Sequence, residues 1–270
     1  MNPMSLLDAI ILGLVQGLTE FLPVSSSGHL VLSQKLLGVE EQGLTFEVMV
    51  HFGTLLSVMI YFWKQLWNML LSILPPFRKE LAKEREMILL LAIASVPAAV
   101  VGFSPLKDVF EGTYEKPAVV GLLLMLTGGI LFLPRLIAKR QKDSADVGFK
   151  SALIMGIGQA FAILPGISRS GSTIVSGMMA GAKSSAAAEF SFLMAIPAIA
   201  AAAFLELGHL PKEGGQLATY IVGTAVAFLS GLIAIYTVLA AIRRGRFEYF
   251  GIYCLVAGLI AFLYFQFIGV

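Results

Sequence analysis

The stretch QGLTEFLPVSSSGH, residues 16–29, decides how this chain is read. It sets a carboxylate, three adjacent serines, a glycine and a histidine around a proline. Gln16 and Glu20 lie four residues apart and share one face of a helix. Pro23 breaks that helix, and Ser25 has the chemistry of an N-cap for the next one. Ser26 and His29, three apart, share a side of the new first turn. A second stretch, LPGISRSGST at 164–173, repeats the plan. Pro165 and Gly166 interrupt the chain, Ser168 suits an N-cap, and Arg169, Ser170 and Thr173 follow. Gly13, Gln16, Ser25, Ser27 and Gly28 recur as Gly156, Gln159, Ser168, Ser170 and Gly171, at a constant offset of 143 residues. A weaker echo pairs VPA at 96–98 with IPA at 196–198.

Everything around these two stretches is oily. The chain is 57% hydrophobic and 13% charged, about half the charge of a soluble domain. Residues 87–106, 117–134, 217–242 and 249–270 hold no Asp, Glu, Lys or Arg. Each is long enough to cross a hydrocarbon core of roughly 30 Å. Two shorter runs, 48–63 and 190–205, read as spans with polar ends. Continuous apolar runs, rather than alternation, exclude a membrane β-barrel. The first residues lack a basic region, so no cleavable signal is expected. Cys254 is the only cysteine. That excludes an intrachain disulfide and most cysteine metal sites, and it reads as a small core hydrophobe.

Lys and Arg gather in three connections: Lys64 to Arg85, Arg135 to Lys150, and Arg243 to Arg246. The positive-inside rule places all three in the cytoplasm. Six spans satisfy that placement, roughly 46–63, 87–104, 118–134, 186–206, 217–241 and 249–268, with the C-terminus outside. The segments left over, about 4–37 and 151–182, must each enter and leave on one side. The first dips in from outside and the second from the cytoplasm. Such re-entrant hairpins survive only where protein or a wet cavity surrounds the broken backbone. One pattern entering from opposite sides predicts an inverted repeat, with two polar tips meeting near the midplane. The expected fold is therefore an all-α polytopic membrane protein, a single integral domain over 1–270, with six transmembrane spans and two re-entrant helical hairpins.

Helix N-termini flanked by hydroxyls and an Arg are anion sites, and Arg matches phosphate oxygens through a planar fork. A serine near a histidine is a nucleophile with a base. A carboxylate beside them is suited to hold a divalent cation. Glu20 and Arg169 are the strongest candidates, because ionisable groups at membrane depth are costly and functional by default. Ser26, His29, Glu20 and Arg169 form the expected catalytic set. Gln16, Ser25, Ser27, Ser168, Ser170, Gly171 and Thr173 are the expected binding set, with capping or helix packing as the competing role for the serines. Glu47 and Glu189 open spans close after each hairpin and would brace the tips or sit at the interface. His51 and His209 have no polar company in the sequence and read as structural or interfacial.

EFLPVSSSGH at 20–29 and PGISRSGST at 165–173, supported by FEVMVHFGTLL at 46–56 and AAEFSFLMAIPA at 187–198, resemble the undecaprenyl-diphosphate phosphatases of the bacitracin-resistance type. The resemblance covers nearly the whole chain. It implies removal of the terminal phosphate from a polyprenyl diphosphate, yielding the carrier lipid for peptidoglycan synthesis, in the bacterial inner membrane; the site itself is expected to open to the outer, periplasmic side. It also implies a divalent cation, Mg2+ or Ca2+, for which Glu20 and Gln16 are the candidate ligands. The family carries Glu or Gln at the first position of its E/Q-x-x-x-E motif. Here it is Gln16, which leaves Glu20 as the motif's only carboxylate. The lipid and the bilayer are the expected partners, with a second copy of the chain beside them and no nucleic acid. Three chemistries stay open: attack by Ser26 with His29 moving the proton, attack by His29, or attack by water. The alternative function is a flippase for the carrier lipid, since broken helices in an inverted repeat also build transporters.

Overall fold

The computed structural model of the 270-residue chain describes residues 4–39, 45–106, 110, 112–136, 145–206, 217–244 and 246–268. The first hairpin joins α1 (Leu6–Phe21) to α2 (Ser26–Leu37). α1 opens with a capping box in which Ser5 Oγ accepts from Asp8 N and the Asp8 carboxylate accepts from Ser5 N. The half closes with α3 (Thr45–Tyr61), α4 (Trp63–Ser72), α5 (Ala82–Gly102) and α6 (Pro117–Ile130). The second half begins with the hairpin of α7 (Phe149–Phe161) and α8 (Arg169–Met179). It continues through α9 (Ser184–Glu206), α10 (Leu217–Arg243) and α11 (Phe247–Phe267). The described residues form no strand beyond one isolated bridge, Ala145 with Ala182.

Five segments are long and apolar enough to cross a membrane: Lys79–Gly102, Pro117–Leu136, Ser184–Phe204, Leu217–Arg243 and Phe247–Phe267. α3 and α4 pass the same test only as a pair, bent by 77°. The run read as 46–63 thus ends at Tyr61, and the chain turns into a short helix that exposes Trp63 and Trp67. Aromatic side chains with Lys64 beside them suit the membrane–water boundary. The span expected at 87–104 begins earlier, at Lys79, and the other four end within a few residues of their expected limits.

Helix pairing carries the repeat. α1 lies along α10 and α7 along α5, while α6 lies along α11 and α3 contacts both α9 and α10. Exchanging α1 with α7 and α5 with α10 reproduces the first two pairs, as an inverted repeat requires. Glycine makes the contact in both. A Cβ on Gly13 would lie 2.5 Å from the Gly223 carbonyl oxygen, and one on Gly156 would meet the Ala94 carbonyl oxygen closer still. Without a hydrophobic drive between helices in lipid, close backbone approach through small residues does the packing. The VPA and IPA echo is not part of the repeat. Pro97 lies in α5 and Pro197 in α9, and the counterpart of α9 is α3. Beneath the tips, Phe21 at the end of α1 meets Phe192 of α9 edge to face at 5.4 Å. Both are fully buried, with Met155, Ile174 and Leu131 in the same core. Cys254 is buried there too, as expected.

Candidate active site

The two tips touch through backbone and hydroxyls. Ser25 caps α2 by accepting from Gly28 N at 3.3 Å, and Ser168 caps α8 by accepting from Gly171 N at 3.0 Å. Ser25 Oγ lies 3.4 Å from Ser27 Oγ, and Ser168 Oγ 3.3 Å from Ser170 Oγ. These equivalent bonds confirm the 143-residue alignment at atomic level. Across the junction, Gly166 N donates to Ser25 Oγ at 3.2 Å, and Ser170 Oγ donates to the Leu22 carbonyl at 2.9 Å. Gly28 is required here, because a Cβ on it would lie 2.9 Å from Gly166 Cα. Thr127 of α6 clamps tip two: it donates to the Gly166 carbonyl at 2.8 Å and accepts from Ser168 N at 3.0 Å.

Glu20 is the hub. One carboxylate oxygen accepts from Gln16 Nε2 at 2.9 Å and from Ser26 Oγ at 2.5 Å. The other accepts from Arg169 Nη2. Arg169 is held in turn by Nη1 donating to the Ser191 carbonyl at 3.3 Å, while Thr173 Oγ1 donates to the Arg169 carbonyl at 2.8 Å and shares a hydrogen bond with Ser191 Oγ. Glu20, Ser25, Ser26, Ser27, Ser168 and Arg169 line one cavity of about 330 Å³. Its apolar wall comes from Ile163, Ile167, Ile199 and neighbouring alanines. The starts of α2 and α8 border it through Ser26, Ser27 and Arg169, so two positive helix ends and a guanidinium lie beside Glu20.

A family model described as bacitracin resistance protein BacA matches residues 9–260, which take in both tips and the whole cavity. The chain belongs to the BacA family. It is 42% identical to the undecaprenyl-diphosphatase of Syntrophotalea carbinolica, covering 94% of this chain and 97% of that protein. The undecaprenyl-diphosphatase of Desulforapulum autotrophicum is 39% identical over 96% of this chain and 98% of its own length. That of Moorella thermoacetica is 40% identical over 95% and 97%.

Within this BacA tip pair, not every residue expected from sequence reaches the cavity. Gln16 is fully buried behind Glu20. Ser170, Gly171 and Thr173 hold the scaffold rather than the cavity wall. Ser26 and His29 do not pair. Ser26 donates to Glu20, and both His29 ring nitrogens are engaged elsewhere: Nδ1 with the Ser25 carbonyl and Nε2 with Tyr253 Oη, each at 2.8 Å. A three-residue spacing fixes the helix face but not the direction of an imidazole ring.

Conversely, His51 is in the site. Its Nε2 lies 3.6 Å from Glu20, and Nδ1 donates to the Glu47 carbonyl at 2.7 Å. Glu47 lines the cavity as well. Glu189 does not brace a tip; its side chain is 42% exposed and faces Arg243 at 3.8 Å. His209 lies outside the described residues. Glu47 and His51 are four apart on α3, and that shared face was the available signal.

The donor set for a cation is sparse. Gln16 turns its amide N–H to Glu20 and leaves its Oε1 without a hydrogen-bond partner. Gln159 leaves the same atom unpaired in tip two, so the orphaned oxygen belongs to the repeat and does not mark a metal site. Among the described residues no group of three His, Cys, Asp or Glu is placed to share an ion. Glu20 and Glu47 facing one cavity fit a cation that takes most of its ligands from water and substrate phosphates, as Mg2+ does.

Proposed function

We propose that this chain hydrolyses undecaprenyl diphosphate to undecaprenyl phosphate and inorganic phosphate, the activity named for its relatives. The observation that carries the reading is the Ser26–Glu20–Arg169 arrangement, a hydroxyl hydrogen-bonded to a carboxylate that an Arg holds in place. A binding site alone needs no hydroxyl set against a base. The cavity suits a diphosphate headgroup, and the polyprenyl tail stays between helices and lipid. Arg169 and the first-turn N–H groups of α2 and α8 take the phosphate oxygens, which already carry charge and gain more at the leaving oxygen. Ser26 Oγ attacks the terminal phosphorus while Glu20 accepts its proton. The bond to the bridging oxygen breaks, Glu20 passes the proton to that oxygen, and undecaprenyl phosphate leaves with it, which frees the carboxylate for the second step. Water then attacks the phosphoseryl group, giving up a proton to Glu20. Phosphate departs and Ser26 regains its proton.

A divalent cation, when bound, would be held by Glu20 and Glu47 with substrate oxygens, and would offset phosphate charge. The gathering of Lys and Arg in three connections supports a cavity mouth on the outer face of the bacterial inner membrane. The test is phosphate release from undecaprenyl diphosphate by purified protein in detergent, where no second compartment exists. Release establishes hydrolysis. Lipid binding without release would overturn it in favour of a translocator.

A further inference from the structure

Ser25, the residue before the attacking hydroxyl, has φ 68 and ψ 93. Among the described residues it is the only one other than glycine with positive φ. A side chain in that region is strained and persists only where its surroundings over-determine it. Ser25 is held on every side. Its Oγ accepts from Gly28 N and Gly166 N. Its carbonyl accepts from His29 N at 3.1 Å and from His29 Nδ1 at 2.8 Å.

The second of these bonds sets the direction of a chain. A carbonyl oxygen only accepts, so Nδ1 carries the hydrogen. In the neutral ring Nε2 is then an acceptor, and the group facing it at 2.8 Å is the Tyr253 hydroxyl. The Tyr253 ring also lies nearly parallel to the imidazole, at 10° with centroids 5.6 Å apart. The links therefore run from Tyr253 O–H to His29 Nε2, and from His29 Nδ1–H to the Ser25 carbonyl. Such chained bonds polarise one another. The neighbouring part of α11 backs the same turn: Cys254 is fully buried, with its sulfur 3.8 Å from the Pro23 carbonyl. An aromatic residue serving only the membrane boundary would turn its hydroxyl to headgroups and water. This hydroxyl turns to the histidine.

We infer that Tyr253 is a positioning residue for phosphoryl transfer. It fixes the tautomer and orientation in which His29 pins the Ser25 carbonyl, and thereby the strained elbow that aims Ser26 at Glu20. His29 then serves as a donor to backbone, and Glu20 is the group that takes the proton. The inference rests on the reading of Ser26 as the attacking group.

Tyr253→Phe keeps the ring and deletes the hydroxyl. Turnover should fall about tenfold or more, as misplacing a reacting group does, with KM and the thermal midpoint nearly unchanged. His29→Asn places an amide N–H near the former Nδ1 and offers nothing that titrates. It should keep at least about tenfold more activity than His29→Leu, a difference that only the donor explains, and its pH profile should keep the wild-type shape. Tyr253→Phe should add nothing in the His29→Asn background, because the amide cannot reach Tyr253. Independently of turnover, nitrogen spectra of histidine-labelled protein should show His29 protonated at Nδ1. Its Nε2 resonance should move in Tyr253→Phe while those of His51 and His209 stay.

Turnover of Tyr253→Phe within about twofold of wild type, under 0.5 kcal/mol in barrier, overturns the inference. So does a His29 protonated at Nε2, or a His29→Asn as inactive as His29→Leu. Wild-type protein that releases no phosphate would instead overturn the functional reading, and with it the catalytic purpose of the link. The spectra would still report whether the link itself exists.

Discussion

Replacing Glu20 by Gln keeps the length of the side chain and removes its charge. Three donors converge on this carboxylate: Gln16 Nε2, Ser26 Oγ and Arg169 Nη2. A glutamine offers one acceptor oxygen and one amide nitrogen. With its oxygen toward Arg169, the amide nitrogen meets Ser26 and Gln16, and Ser26 must reverse its hydrogen bond. The hydroxyl then has no base. Removing a general base costs about 10²- to 10⁴-fold in rate, and the lower figure already equals about 2.7 kcal/mol of barrier. Stability also falls, since a guanidinium loses its counter-charge. A fully buried pair would cost about 3–5 kcal/mol. The Arg169 side chain is 17% exposed and borders a cavity, so the loss should sit at or below about 3 kcal/mol. The assay pairs initial rates of phosphate release at saturating lipid with thermal unfolding. A cation titration alongside should move to higher Mg2+, because Glu20 is one of the two carboxylates facing the cavity. Residual activity above about a tenth, a barrier change under about 1.4 kcal/mol, would refute the assignment of Glu20 as base.

Arg169→Lys keeps the charge and loses the planar fork; activity should drop about 10²-fold or more, and near-normal release would make the Arg structural. Gly156→Ala drives a methyl into the Ala94 carbonyl and should cost about 1–3 kcal/mol by overpacking, whereas Gly129→Ala, with open space around it, should leave the unfolding midpoint unlowered. In a Cys254→Ser background, a Lys83→Cys variant should react only with reagent that reaches the cytoplasm and a Lys116→Cys variant should react from outside; the opposite pattern would invert the orientation and move the cavity mouth.

Much of this architecture was legible in the sequence, because membrane depth leaves few choices. Charge-free runs must span, and apolar segments broken by Pro23 or Pro165 cannot do so as single helices. The recurrence of Ser25, Ser27 and Gly28 at Ser168, Ser170 and Gly171 located both tips and their caps. Glu20 and Arg169 were legible because charge at that depth needs a partner.

The pairing of Ser26 was not legible. Helical spacing allowed His29 as its partner, but the ring turns away to Ser25 and to Tyr253, 224 residues later. His51 was missed, and Glu47 was read only as a brace or an interfacial residue, because α3 reads as an ordinary span until its N-terminal turns are seen beside tip one. The helix after the bend was not foreseen either: Lys64 marked the segment from there to Arg85 as a connection, and α4 (Trp63–Ser72) lies almost wholly inside it.

The claim at the centre of this account is that Ser26 becomes phosphorylated during turnover. Rapid acid quench of protein mixed with undecaprenyl diphosphate, followed by digestion and mass spectrometry, reads this directly. Phosphate should appear on the peptide carrying Ser26, be absent from Ser26→Ala and accumulate where hydrolysis of the intermediate is slowed. Full phosphate release with no phosphoseryl peptide at any quench time, and substantial turnover by Ser26→Ala, would show that water or another side chain attacks the phosphorus.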